Sequence, residues 1–294
     1  VTVGNTASQC HPVDMSTNTN ETGMPTDLFL VRHGESEGNV ALNAAKEGDR
    51  SYLTEDYLAR TTLDYRLSPE GARQAARAGA WIRSWMTDHG VDGFDRFYCS
   101  PYARARETAA LLGIPSAAWQ FEPLLRERDF GLWEGLPKER VMTLFERSAL
   151  QKDRNRFLWR PDGGESTPDI DLRVREVLAT LARELPRQRV VCVTHEDVMW
   201  TFRFRLEKMT IEEWLAHQDD DHHEIVNGGI VHYTRTLDDT PDAGVGPKFA
   251  RVRLIDPHRP STAEWREITR PRFSDQELLD GLAGIPPLWP DRRT

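Results

Sequence analysis

The sequence predicts an α/β protein, a three-layer sandwich with a mostly parallel sheet flanked by helices. Two observations carry this. The runs "DLFLVR" (27–32) and "VVCVT" (190–194) are short and continuously apolar, as parallel strands covered on both faces are. They alternate with segments whose apolar residues recur at helical spacing, and such alternation implies helices packed on a sheet. At 294 residues, with 38% hydrophobic residues and nine tryptophans, the chain can bury a large core.

Taken in order, residues 1–26 are rich in Thr, Asn and Ser and lack an apolar stretch. They are expected to be a disordered leader and not a signal peptide, with Met15 and Met24 as alternative natural starts. The first strand follows. The stretch 40–66, carrying Arg50, Tyr52, Tyr57, Arg60, Tyr65 and Arg66, is longer than a strand–helix link requires and is expected to form pocket wall. Pro69 and Glu70 open a helix whose inward face is Ala72, Ala75, Ala76, Gly79, Ile82 and Met86. "FDRFYCS" (94–100) is a third strand candidate. The Ser/Pro opening of "SPYARARETA" (100–109) reads as a helix N-terminus, with Arg104 and Arg106 one and a half turns in. A second amphipathic helix spans 169–185, with Val174, Val177, Leu178, Leu181 and Leu185 inward. After residue 236 the chain turns loop-like, then offers a strand "FARVRLID", a short helix "SDQELLDGL" and a Pro/Trp segment draped over the domain. No internal repeat is visible.

Composition removes several function classes. A net charge of −9 disfavours wholesale binding to nucleic acid or anionic membrane. No apolar stretch approaches the roughly 20 residues needed to cross a bilayer. Cys10, Cys99 and Cys192 cannot build a disulfide framework, and the last two lie in strand-like runs where a buried free thiol is usual, which points to the cytoplasm.

The chemistry gathers where the strands end, the place where open α/β sheets bind ligands. Arg32 and His33 end the first strand, Ser100 the third candidate and His195 the run "VVCVT". A helix opening beside Arg32 would present free N–H groups to an anion such as phosphate. An arginine such as Arg104 can form two parallel charge-assisted bonds to a phosphoryl group. Each residue has a plain alternative: a surface ion pair, a solvated helix face, a satisfied core histidine. Two histidines and two arginines on one sheet edge are hard to explain as packing.

These segments together resemble the histidine phosphatase superfamily, in the branch that includes cofactor-dependent phosphoglycerate mutases. "LVRHGESEGN" (30–39) is similar to its nucleophile motif, "SPYARARETA" to its second arginine motif, "LLRERDFGLWEG" (124–135) to its acid motif and "VVCVTH" (190–195) to its second-histidine motif. "RPDGGESTPDIDLRV" (160–174), "TIEEW" and "NGGIVHY" look closest to phosphoglycerate-mutase-like phosphatases of plants, fungi and bacteria. The resemblance covers roughly residues 27–236, which makes these the catalytic domain, with 237–294 a C-terminal extension packed on it.

The resemblance implies a phosphomonoester hydrolase acting on a small phosphorylated metabolite through a phosphohistidine, with no cofactor and no metal. His33 would be the nucleophile; Arg32, Arg104 and His195 would hold the phosphoryl oxygens; Glu127 would be the proton donor. Ser36 and Asn39 would add hydrogen bonds at the substrate. Arg160 either reaches substrate or caps a loop, while Glu165, Ser166 and Arg173 look like support. A phosphomutase, or an inert binding protein on the same fold, is the alternative; "DFGLWEG" resembles the hydrolytic members more. One departure stands out: Glu196 and Asp197 follow His195 where the family usually has glycine. Acidic residues suit a helix N-terminus, so Glu196 is expected to aim away from the pocket. The run "DDDHH" (219–223) is adjacent rather than spaced for a metal and reads as a solvated loop.

Overall fold

The computed structural model describes residues 23–218, 220, 223–238, 244–285 and 288. Most of the expected leader, the Pro/Trp segment and Asp219, Asp221 and His222 of the acidic run lie outside them. The chain folds as β1 (Asp27–Arg32), α1 (Glu37–Lys46), α2 (Glu55–Ala59), α3 (Pro69–Asp88), β2 (Arg96–Cys99), α4 (Ala103–Leu111) and β3 (Trp119–Phe121). There follow α5 (Lys138–Leu144), α6 (Glu146–Arg154), α7 (Thr167–Glu184), β4 (Arg189–Thr194), α8 (Glu196–Leu206) and α9 (Ile211–Gln218). The C-terminal part contributes β5 (Ile230–Thr234), β6 (Arg251–Ile255), β7 (Arg266–Glu267) and α10 (Asp275–Asp280).

The seven strands form one sheet in the order β3-β2-β4-β1-β5-β6-β7. The first four are mutually parallel, and β5, β6 and β7 pair antiparallel. Every residue of β1 is buried, as its unbroken apolar run requires. Because strand side chains alternate, Leu28 and Leu30 join one core with α7 and α8, while Phe29 and Val31 join another with α3 and α4. The sheet therefore lies between two helical layers, as the sequence predicts.

The α3 helix starts where expected, with Pro69 in its first turn behind the N-cap Ser68. Its inward face differs in detail: Ala75, Gly79, Ile82 and Met86 are buried, but so are Gly71, Ala78 and Trp85, while Ala76 faces solvent. Trp85 turns the face, since its ring packs edge-on against Phe29 at 4.8 Å. Gly71 is required by close approach. A Cβ there would lie 2.0 Å from the carbonyl oxygen of Glu35, and one on Gly34 would lie 2.2 Å from that of Gly71. The start of α3 is thus pressed against the loop that follows His33.

The C-terminal region adds to both the core and the sheet. Phe249, Val252 and Ile268 belong to the α7/α8 core, and β6 pairs along its whole length with β5. Beyond Ile268, every described residue through Ile285 is exposed, α10 included. Among the described residues no helix is long and apolar enough to cross a membrane.

Candidate active site

Three parallel strands deliver the site. β1 ends in Arg32 and leads to His33, β2 leads to Ser100, and β4 leads to His195, whose φ of −126° leaves it extended as the N-cap of α8. The rings of His33 and His195 lie edge to face, 5.1 Å apart. Ligating atoms of His33, His195 and Glu127 all fall within 4.8 Å of one another. The helix after β1 starts later than the sequence suggests: α1 begins at Glu37, capped by Ser36, so His33 sits on the loop before it. The helix after β2 starts later as well. Ser100 does not cap α4; its hydroxyl is 2.7 Å from His195 Nε2, and Arg104 is the second residue of the helix.

Hydrogen bonds fix the tautomer of His33. Nδ1 is 2.7 Å from the carbonyl oxygen of Gly34, which can only accept, so Nδ1 carries the proton. Arg104 Nε donates to Nε2 over 3.2 Å, which leaves Nε2 as the lone-pair nitrogen. Burial holds the His33 pKa well below its ordinary value, and the Arg104 and Arg32 charges push the same way. The ring is therefore neutral at physiological pH. Asn227 Nδ2 and the Gly228 amide both donate to its carbonyl oxygen, at 3.1 and 3.2 Å. His195 is also held well below its usual value, by burial first and then by Arg104. Among the described residues its buried Nδ1 has no hydrogen-bond partner and lies 3.6 Å from Glu127 Oε2.

Glu127 titrates in the opposite direction. Burial, reinforced by the Asp197 charge and opposed by Arg104, pushes its carboxyl up to about 7. Behind it, Arg173 donates to the carbonyl oxygens of Leu124, Arg126 and Glu127 and grips both oxygens of Glu165. This single guanidinium ties the acid loop to α7. Arg173→Ala leaves Glu165 its Arg126 partner but takes the donor from three loop carbonyls, so it is expected to cost about 1–3 kcal/mol, the penalty for unsatisfied buried acceptors, and chemical denaturation measures it. A loss under about 1 kcal/mol would show that the loop holds its shape without Arg173.

The remaining residues divide. Asn39 Oδ1 accepts from the backbone and hydroxyl of Ser36, closing a capping box. Its amide donors are then what it can offer an anion. Arg160 stays on the surface, 60% exposed and paired with Asp169. Tyr102, not singled out from the sequence, packs edge-on against His195 at 5.0 Å and lies under the Arg104 guanidinium at 4.9 Å. Its only sequence signal is its place between Ser100 and Arg104.

Comparison with known proteins agrees with this geometry. The sequence model of the histidine phosphatase superfamily (branch 1) matches residues 28–227, more than half of the chain. The chain belongs to the histidine phosphatase superfamily. A phosphoglycerate mutase-like protein of Arabidopsis thaliana is 28% identical over 282 residues, covering 86% of this chain and 82% of the relative. A 2,3-bisphosphoglycerate-dependent phosphoglycerate mutase of Rhizobium etli is 29% identical over 198 residues, covering 64% of this chain and 84% of the relative. Among solved structures, the alpha-ribazole phosphatase of Shigella flexneri shares the fold, with a TM-score of 0.55 at 22% identity, over 76% of this chain and 95% of that one.

Within this histidine phosphatase, Glu196 contradicts the expectation drawn from its helix position. It does open α8, but its carboxylate does not turn away: Oε2 pairs with Arg32 at 2.6 Å. The reason is local. Arg32 NH1 is engaged by the Ile225 carbonyl, and the second terminal nitrogen faces the first turn of α8. Asp197, the next residue, lies 3.8 Å from Arg128.

Proposed function

We propose that this phosphatase hydrolyses phosphomonoesters of small metabolites through a phosphohistidine on His33, without a metal ion. The observation that carries the proposal is the opposed protonation of two neighbours: a buried neutral His33 with its Nε2 lone pair exposed to Arg104, and a Glu127 that holds its proton to about pH 7. Nε2 attacks phosphorus in line, the P–O bond to the leaving group breaks, and Glu127 gives its proton to the departing oxygen. Water then attacks the phosphohistidine, Glu127 takes back a proton, and the P–N bond breaks with its electron pair returning to Nε2. Arg32, Arg104, His195 and the Asn39 amide are assigned to the phosphoryl oxygens, where they offset the charge spread over them in the transition state.

The trio His33, Glu127 and His195 has the donor types of a metal site. The Arg104 guanidinium, hydrogen-bonded to the nitrogen that would bind the ion, opposes a divalent cation there. Activity is accordingly expected to survive EDTA unchanged. Loss of rate that zinc or magnesium restores would replace this reading with metal-assisted hydrolysis.

A panel of phosphorylated metabolites assayed for phosphate release tests the hydrolase reading directly. The mutase relative motivates a second one, in which the phosphoryl group returns to the product. Isomerised phosphoester without free phosphate would establish that instead. A cytoplasmic setting belongs to the proposal, supported by Cys99 and Cys192, both buried and free.

A further inference from the structure

We infer that Glu196 determines substrate choice, selecting phosphomonoesters whose leaving group carries an ammonium close to phosphorus over those that carry a second anion. The inference rests on the hydrolase reading for the location of the phosphoryl group. Its basis is a charge sum over the side chains around His33.

Arg32 and Arg104 bring two positive charges to the cradle, and both are buried. His33 and His195 are kept neutral by burial, and Glu127 holds its proton near neutrality. Those two charges would balance a phosphoryl dianion. Glu196 removes one of them through its 2.6 Å contact with Arg32. With the dianion bound, the site carries one negative charge in excess. Among the described residues the next charges offset one another: Arg128 is beside Asp197, Arg126 and Arg173 share Glu165 while Glu134 acts on Arg104, and the influence of Lys46 on Glu196 is opposed by that of Glu224.

The placement of Glu196 directs the effect toward the leaving group. Arg32 uses NH1 on the Ile225 carbonyl and NH2 on Glu196, while Nε is buried and unpartnered. Nε can therefore serve the phosphoryl group while Glu196 stays on the same guanidinium. Glu196 Oε2 takes the Arg32 contact and the side chain is 39% exposed, so a bound molecule can reach the carboxylate. Glu196 directly follows His195, whose Nδ1 lies 3.6 Å from Glu127 Oε2, so it sits beside the group assigned to the departing oxygen. A cation three or four bonds from phosphorus would complete the charge balance at this spot, and a carboxylate there would add to the excess.

Three phosphonates of matched length test this: 2-aminoethylphosphonate, propylphosphonate and 3-phosphonopropionate, with terminal charges positive, absent and negative. Their C–P bonds resist hydrolysis, so titration calorimetry on the wild-type protein reads affinity alone. The hydrolase reading stands or falls separately, on phosphate release. Affinity is expected to fall roughly tenfold at each step, the scale for unit charges about 6 Å apart in a partly solvated site. Glu196→Gln removes the charge behind both steps and should compress the overall ratio by up to about a hundredfold, and half-molar salt should compress it in the wild type. Equal or tighter binding of the carboxylate analogue by the wild type would overturn the inference. So would an unchanged ratio in Glu196→Gln, or no binding of 2-aminoethylphosphonate at millimolar concentration.

Discussion

Replacing His33 with alanine is expected to abolish turnover, by a factor on the order of 10⁴–10⁶, the loss typical when a covalent nucleophile is removed. The size follows from how much of the site is organised around one nitrogen. Nδ1 is tied to the Gly34 carbonyl and Nε2 receives the Arg104 hydrogen bond. The backbone of the residue is held by Asn227 and Gly228. Alanine keeps that backbone geometry and removes only the nucleophile, so stability should change far less than rate. A variant that retained more than about a hundredth of wild-type turnover would require direct attack by water.

Glu127→Gln is expected to slow phosphoenzyme formation from an alkyl phosphate by about 10²–10⁴, the usual worth of general acid catalysis. An alkoxide leaving group needs a proton, whereas a nitrophenolate scarcely does, so the same step with p-nitrophenyl phosphate should suffer far less. Glutamine preserves the shape that Arg173 and the Arg128 amide hold in place. The pH dependence has a definite sign. Glu127 donates only when protonated, and its carboxyl is pushed up to about 7. Phosphoenzyme formation from an alkyl phosphate should therefore fall as pH rises above about 7, and the variant should lose that limb. His33 is neutral until well below its ordinary value, so any loss from its protonation appears only in acid. Pre-steady-state bursts on the two substrates read the step directly. Equal slowing of both would make Glu127 a positioning residue for the phosphate.

The parts of this molecule legible in its sequence are those set by local pattern. The apolar runs of β1 and β4 announce buried parallel strands because a strand covered on both faces has no polar side to show. His33, His195 and Arg104 were legible through their places at strand ends and in ordered motifs. What escaped depends on partners far along the chain. Ile230–Thr234 forms the antiparallel strand β5, but a five-residue run beside glycines does not reveal its direction. The helix starts lie later than the motifs suggest because Ser36 caps α1, three residues beyond His33, while Ser100, whose hydroxyl contacts His195 and accepts from the Tyr102 amide, lies two residues ahead of the α4 N-cap. Glu196 depends on a distant partner as well: a helix N-terminus explains an acidic residue, but only the fold places Arg32 beside it. Arg160 reads as a candidate ligand from the sequence, and its partner turns out to be Asp169, nine residues on.

The central claim is covalent transfer to His33, and rapid quenching of the wild-type enzyme with a turning-over phosphomonoester tests it most directly. The account predicts a phosphorylated species formed within the first turnover, labile in acid and stable in base, whose phosphoryl group maps by peptide mass to His33. A phosphoryl group on another residue would contradict it, as would its absence in repeated quenches spanning the first turnover under conditions where formation outpaces breakdown.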